Sequence, residues 1–297
     1  MADKRLLIVH AHPDDECITT GAVMAGYVDQ GVAVTLVTCT LGEEGEVLLD
    51  DKTHLAADAE DRLGEHRYEE LAAAMQILGV TDWRLLGEPH KYRDSGMMGT
   101  PANDRDGNFW RADLLEAATD LVTVIREVRP QVAVTYDDFG GYGHPDHIQA
   151  HRVLTYAAAL AQVPSFRPDL GPAWRIQKLY WTAIPKEVLR QGIRALRESG
   201  ETTGFAELDP DDLPMGVEDE LVTTAVDFSD FTDTKMAALA AHASQVQADA
   251  GFFALSNNLG QKAMGVEFFR LASGDVAAPF DEQGRETDLF NGVTLSG

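Results

Sequence analysis

Two cysteines, Cys17 and Cys39, are all that 297 residues contain. That is too few for a disulfide framework, and both read as reduced core thiols. Basic residues are scarce too: 24 Lys and Arg stand against 49 Asp and Glu, a formal net charge of −25. So acidic a surface repels phosphate backbones and anionic headgroups, which argues against nucleic acid or a membrane surface as a partner. No apolar run is long enough to span a bilayer. Met1-Ala2-Asp3-Lys4-Arg5 leads straight into a strand-like segment, with no apolar h-region or small-residue cleavage site. The expectation is a cytoplasmic protein acting on a small molecule; nothing in the sequence sets its oligomeric state. What is present in ordinary amounts, 44% hydrophobic and 25% charged residues, excludes a disordered chain.

Short apolar runs alternate with helical periodicity. Leu6 to Val9 is a continuous apolar run, as expected of a strand covered on both faces. Ile18 to Gln30 reads as a helix closed by Gly31, and Val32 to Thr40 as a second strand. Helices are expected over Arg67 to Leu78, Leu114 to Val128 and His147 to Ala161, with strands over Trp83 to Leu86 and Val132 to Tyr136. The pattern predicts an α/β, Rossmann-like doubly wound, mostly parallel sheet. Beyond it, Lys178 to Thr182 and Val222 to Val226 read as strands, Lys186 to Glu198 and Asp233 to His242 as helices, and Ser199 to Asp219 as a surface loop. The expected organisation is a catalytic domain over residues 1–165, with residues 166–297 forming a smaller C-terminal subdomain that completes the fold and pocket.

The first strand empties into His10-Ala11-His12-Pro13-Asp14-Asp15-Glu16. A dinucleotide-binding turn would be glycine-rich here, so that the backbone could approach a pyrophosphate. Histidines and carboxylates suit a divalent cation instead. The fourth strand empties into a second such cluster, from Tyr136 through Gly143-His144-Pro145-Asp146-His147. Ends of parallel strands meet at the crevice where open α/β sheets bind ligands, so the two His-Pro-Asp segments are expected to face each other. His12, Asp15 and His147 form a three-ligand set that leaves one position open, the mark of a catalytic zinc site. Iron(II) suits the same donors.

Asp14, beside a ligand, is the candidate general base, or else a helix cap. His144 could serve as general acid or as a cation facing an oxyanion, with Asp146 orienting its ring. Tyr142, in a glycine-rich loop, could polarise a carbonyl or merely cover the core. His151 reads as a helix-packing residue and His10 as a core histidine. His54, His66, His90 and His242 have no ligand-like spacing and are taken as structural or surface residues.

These residues carry a resemblance. Ala11-His12-Pro13-Asp14-Asp15-Glu16 with Gly143-His144-Pro145-Asp146-His147 resembles the LmbE-like, or PIG-L, family of zinc-dependent de-N-acetylases. The segments 38–46, 92–97 and 254–259 look like the mycothiol-pathway deacetylases within it, and the likeness runs from about Leu6 to Leu289. It implies deacetylation of N-acetylglucosaminyl-inositol in the cytoplasm of an actinobacterium, with one zinc per subunit on His12, Asp15 and His147. Asp14 would be the base, with His144 and Tyr142 at the oxyanion. Arg67 and Asp94 match positions that grip sugar or inositol hydroxyls, and Glu46 matches another pocket residue. Cys17 stands where the family often has Ser, and 198–219 is the least family-like stretch.

The competing readings are a mycothiol-conjugate amidase, an iron oxygenase and a non-catalytic binding module. The segment 38–46 argues against the first, the α/β alternation against the second, and the presence of Asp14 and His144 beside the ligands against the third.

Overall fold

A computed structural model of the chain describes residues 4–198, 200, 204–213, 215–247 and 265–295. The run from Leu6 to Val9 forms β1 (Arg5–His10), and every one of its four apolar side chains is fully buried. Leu6 and Ile8 enter one core and Leu7 and Val9 the other, the two-residue period of a strand covered on both faces. Each such leucine contributes about 1.5–3 kcal/mol on burial.

The remaining elements follow in order. They are α1 (Asp15–Asp29), β2 (Ala33–Thr38), α2 (Leu63–Leu78), β3 (Asp82–Leu85), α3 (Leu114–Val128), β4 (Val132–Thr135), a four-residue turn of helix α4 (Gly140–Gly143) and α5 (Pro145–Ala161). Then come β5 (Lys178–Ala183), α6 (Lys186–Glu198), β6 (Thr224–Asp227), α7 (Thr232–Ala241) and β7 (Val266–Ser273). Local chemistry sets the helix ends. Asp113 caps α3 by accepting the Glu116 N–H at 2.9 Å, and Gly79 ends α2 in the left-handed region at φ 75°.

The strands form one sheet in the order β3-β2-β1-β4-β5-β7-β6. The first five are parallel in the 3-2-1-4-5 order of the doubly wound fold. α3 and α5 pack together on one face, and α1, α2 and α7 on the other. The strand order therefore reverses between the parallel neighbours β1 and β4, and the crevice of such a sheet opens at their carboxyl ends.

Helix α2 starts at Leu63, four residues before the expected Arg67, and two further expectations differ from what is seen. Helix α1 starts at Asp15, three residues before Ile18, because Asp15 and Glu16 are buried rather than solvated. The sheet also carries β7, an unforeseen strand between β5 and β6 that pairs antiparallel with both. Its inward face includes Glu267, whose carboxylate meets Lys235 Nζ at 2.7 Å, so the apolar alternation is broken by a buried ion pair. Residues after 166 thus extend the same sheet. Among the described residues no helix is long and apolar enough to cross a membrane.

Candidate active site

The turn after β1 is built to hold charge in place. The Ala11 N–H donates to the Tyr136 hydroxyl at 2.8 Å, tying this turn to the end of β4. Asp15 folds back, so that its Oδ2 accepts the His12 N–H at 2.8 Å. Between them Asp14 occupies φ 113°, ψ −34°, a region that L-residues avoid at a cost of about 1–3 kcal/mol. It stands at the N-cap position of α1, yet its side chain accepts no helix N–H. Instead its Oδ2 receives Arg67 Nη2 at 2.9 Å. Of the two readings of Asp14, a cap is the one its geometry disfavours.

The second turn is held as tightly. His147 Nδ1 donates to the Gly140 carbonyl at 3.1 Å, which leaves Nε2 facing the first turn as a bare acceptor. Gly140 has φ +69°, and a β-carbon there would lie 2.6 Å from His147 Cβ, so the contact requires glycine. The Tyr136 ring stacks on His147 with centroids 4.1 Å apart. Pro145 opens α5, and His144 caps it, its Nδ1 accepting the Asp146 N–H at 3.1 Å.

Three atoms converge as a result. His12 Nδ1 and His147 Nε2 are 3.3 Å apart, and each lies 3.3 Å from an Asp15 oxygen, Oδ2 and Oδ1 respectively. A tetrahedral ion with bonds of about 2.0–2.1 Å holds its ligand atoms about 3.3–3.4 Å apart. The donor set therefore fits a metal in spacing and in chemistry. His144 also lies near, its ring centroid 4.6 Å from that of His12.

Asp146 is placed differently from expectation. Its carboxylate does not reach the His144 ring. Oδ2 lies 3.3 Å from His12 Nε2 and accepts the Ser95 N–H at 2.8 Å, while Oδ1 accepts the Ser95 hydroxyl at 2.5 Å. The cause is helical: His144, as cap, takes up the backbone N–H of Asp146, and the first turn of α5 carries the carboxylate inward past it. Asp146 thus orients the His12 ring from the nitrogen opposite Asp15 and His147.

Charge is concentrated here to match. Burial alone would lower the affinity of His12 for a proton, but Asp94, Asp146 and Asp15 overcome it and raise its pKa well above the usual value. Burial would raise Asp15, but His147 and His12 hold it well below the usual range. Burial, opposed by Arg67, pushes Asp14 up to about 6. His144 is pushed down to about 3 by burial first and by the neighbouring His12 and His147. Carboxylates thus surround imidazoles from several sides, an environment that suits a cation.

These groups floor a cavity of about 570 Å³, within the range of small-molecule sites. Arg67, Asp94, Tyr142 and Glu46 line it, as the family resemblance implies. Their contacts are more specific. Arg67, 3% exposed, donates to the Gly42 carbonyl at 2.8 Å and to that of Pro13. A β-carbon on Gly42, itself at φ +66°, would lie 1.9 Å from Arg67 Nη1. Asp94 is also buried: Oδ1 accepts the Gly96 N–H at 2.8 Å and faces His12 Nε2 at 3.5 Å, while Oδ2 accepts the Glu44 N–H at 3.1 Å. Burial would raise its pKa, but His12 keeps it well below the ordinary range. Glu46 is exposed at the rim. Tyr142 is 46% exposed, its ring centroid 5.0 Å from that of His147; partial burial and the Asp15 charge raise its pKa.

His151 packs as expected, with Nδ1 on the Tyr136 carbonyl at 3.1 Å and its ring against Trp181. His10 is a core residue, its Nε2 at 3.0 Å from Thr20 Oγ1 and its pKa lowered to about 4 by burial. Both cysteines are buried and free. Sequence reasoning missed Ser95 and the far wall, where Thr182–Ile184, Met215–Val217 and Gln245 close the cavity. Only contacts distant in sequence reveal these. Met215–Val217 belong to the stretch read as a surface loop, and Val217 bonds to the Ile184 carbonyl at 2.9 Å. The segment 254–259 lies outside the described residues.

The family model described as GlcNAc-PI de-N-acetylase, PIG-L, matches residues 7–158, which carry both metal-facing turns. A protein from Geodermatophilus obscurus named 1D-myo-inositol 2-acetamido-2-deoxy-alpha-D-glucopyranoside deacetylase is 58% identical over 291 residues, covering 98% of each chain. One of the same name from a Nocardioides species is 59% identical, covering 98% of this chain and 99% of its own. Among solved structures, the N,N'-diacetylchitobiose deacetylase of Pyrococcus horikoshii shares the fold. It superposes with a TM-score of 0.60 at 20% identity, over 91% of this chain and 84% of its own. Two turns that build one metal-facing triangle, and relatives that match from end to end, lead to one placement: the chain belongs to the PIG-L family of GlcNAc-PI de-N-acetylases.

Proposed function

We propose that the chain is a metal-dependent hydrolase that removes the acetyl group of N-acetylglucosaminyl-inositol, releasing acetate and the free amino sugar. The observation that carries the chemistry is the 3.3 Å triangle of His12, Asp15 and His147 with Asp14 beside it. The substrate rests on the relatives, 53–59% identical over nearly the whole chain, that bear the deacetylase name. His12, Asp15 and His147 would hold one zinc per subunit, or iron(II), which the same donors accept. Bound there, the ion supplies Lewis acidity to a water and to the acetamide carbonyl.

The chain's own residues do the rest. Asp14, aimed into the cavity by its unusual main chain and held by Arg67, takes the proton of the attacking water as oxygen bonds to the acyl carbon. Tyr142 donates its hydroxyl to the developing oxyanion. His144 is proposed as an uncharged donor rather than the acid or cation first expected. Its Nδ1 lone pair is occupied by the Asp146 N–H, so the ring proton sits on Nε2. Asp14 then returns its proton to the nitrogen as the C–N bond breaks. Arg67, Asp94 and Glu46 are proposed to face sugar and inositol hydroxyls. The division at about residue 165 is kept as a proposal in which the C-terminal part supplies the far wall. A cytoplasmic setting, with neither nucleic acid nor membrane as partner, accords with the acidic composition.

The test is kcat/KM on three substrates: the inositol-bearing sugar, free N-acetylglucosamine and a bulky mycothiol S-conjugate. The inositol-bearing sugar is expected to lead. Free N-acetylglucosamine should lose about 1–3 kcal/mol of transition-state binding per buried partner left unpaired. Equal efficiency on the two sugars would show that inositol is not recognised, and preference for the conjugate would make the chain an amidase. Arg67→Ala is expected to lower kcat about tenfold on both sugars, because Asp14 loses its partner. A loss confined to the inositol-bearing sugar would leave Arg67 a hydroxyl-binding group alone.

A further inference from the structure

Beside Asp14, two segments far apart in the chain meet. Glu16, fully buried in the first turn of α1, accepts the Asp14 N–H on Oε2 at 2.9 Å. Its Oε1 takes the Cys17 thiol at 3.1 Å and His242 Nε2 at 2.7 Å. At 2.7 Å the last contact is a hydrogen bond, closer than two ligands of one metal ion would sit. His242 lies just past α7 and is also fully buried, with Nδ1 unpartnered. Its carbonyl accepts the N–H groups of Gln245 and Val246, each at 2.9 Å, and those two residues line the cavity. One turn thus buries His242 and builds part of the wall.

The N–H that Glu16 holds belongs to the residue with the strained main chain, at φ 113°. That conformation aims the Asp14 carboxyl, and it persists only where its surroundings over-determine it. Glu16 in turn would be an unpaired buried charge without His242. We propose that Glu16 and His242 are a positioning pair for Asp14. Glu16 fixes the main chain that aims the carboxyl, and His242 fixes Glu16, so residues 226 positions apart set one geometry. Neither touches substrate. The inference rests on the reading of Asp14 as base.

A double-mutant cycle tests it, with kcat, KM and bound metal measured for each variant. Glu16→Ala is expected to lower kcat about tenfold to a hundredfold, the scale of a sub-ångström to ångström misplacement, with KM changed less than about threefold and metal retained. Glu16→Gln, whose amide oxygen can still accept the Asp14 N–H, should recover most of the rate. In an Asp14→Asn background, Glu16→Ala should add less than about a twofold loss, because the group it positions is gone. His242→Leu and His242→Gln repeat the comparison, as loss and rescue, should Glu16→Ala fail to fold. Losses that multiply in the Asp14→Asn background, loss of metal, or a normal kcat in folded Glu16→Ala and His242→Leu would overturn the pair. A normal rate in Asp14→Asn itself would instead overturn the base reading beneath it.

Discussion

His12→Ala and His147→Ala are each expected to lose bound metal and turnover together. Each imidazole supplies one corner of the 3.3 Å triangle, and two remaining donors cannot fix the geometry of a catalytic ion. The ion carries several kcal/mol of transition-state charge stabilisation, so the rate should fall by more than about 10³-fold. Elemental analysis beside kcat checks this. A variant that keeps one ion per chain would remove that histidine from the ligand set. The contacts on the far nitrogens matter as well, since Gly140 and Asp146 set the rings, but their loss leaves all three donors in place and should cost less.

Asp14→Asn should behave differently: metal retained, kcat lowered roughly 10²- to 10⁴-fold, the scale of losing a positioned base. The variant is nearly isosteric, and asparagine tolerates positive φ, so the turn should persist. The pH dependence has a definite sign. Burial, opposed by Arg67, raises the Asp14 carboxyl to about 6, and only its ionised form can take a proton. Thus kcat/KM in the wild type should fall on the acid side as Asp14 takes up a proton, and Asp14→Asn should lack that limb. A near-normal rate in the variant would reduce Asp14 to a residue that happens to start a helix.

The half of the fold from β1 to α5 was legible because its signals are local. Strands covered on both faces read as unbroken apolar runs, and Gly79 and Pro130 mark helix ends. The convergence of His12, Asp15 and His147 was legible because two His-Pro-Asp turns follow β1 and β4, the adjacent strands at which the strand order reverses. What stayed hidden depends on partners far away in sequence. β7 carries Glu267 inward, which Lys235 and the N–H groups of Ala22 and Val23 make tolerable. Asp146 pairs with His12 across 134 positions, and Arg67 with Asp14 across 53. His242 read only as a structural or surface residue, since nothing beside it signals Glu16. Helix α1 seemed to begin late for the same reason, as acidic residues ordinarily face water.

The most direct measurement is amine release from N-acetylglucosaminyl-inositol by the protein as purified, after chelation, and after readdition of zinc or iron(II). Metal content is determined in each sample. The expected result is turnover that vanishes with the metal and returns with about one ion per chain, because three protein ligands leave the ion exchangeable. Full turnover in a sample shown to be metal-free, or no amine release from the metal-loaded protein, would contradict it.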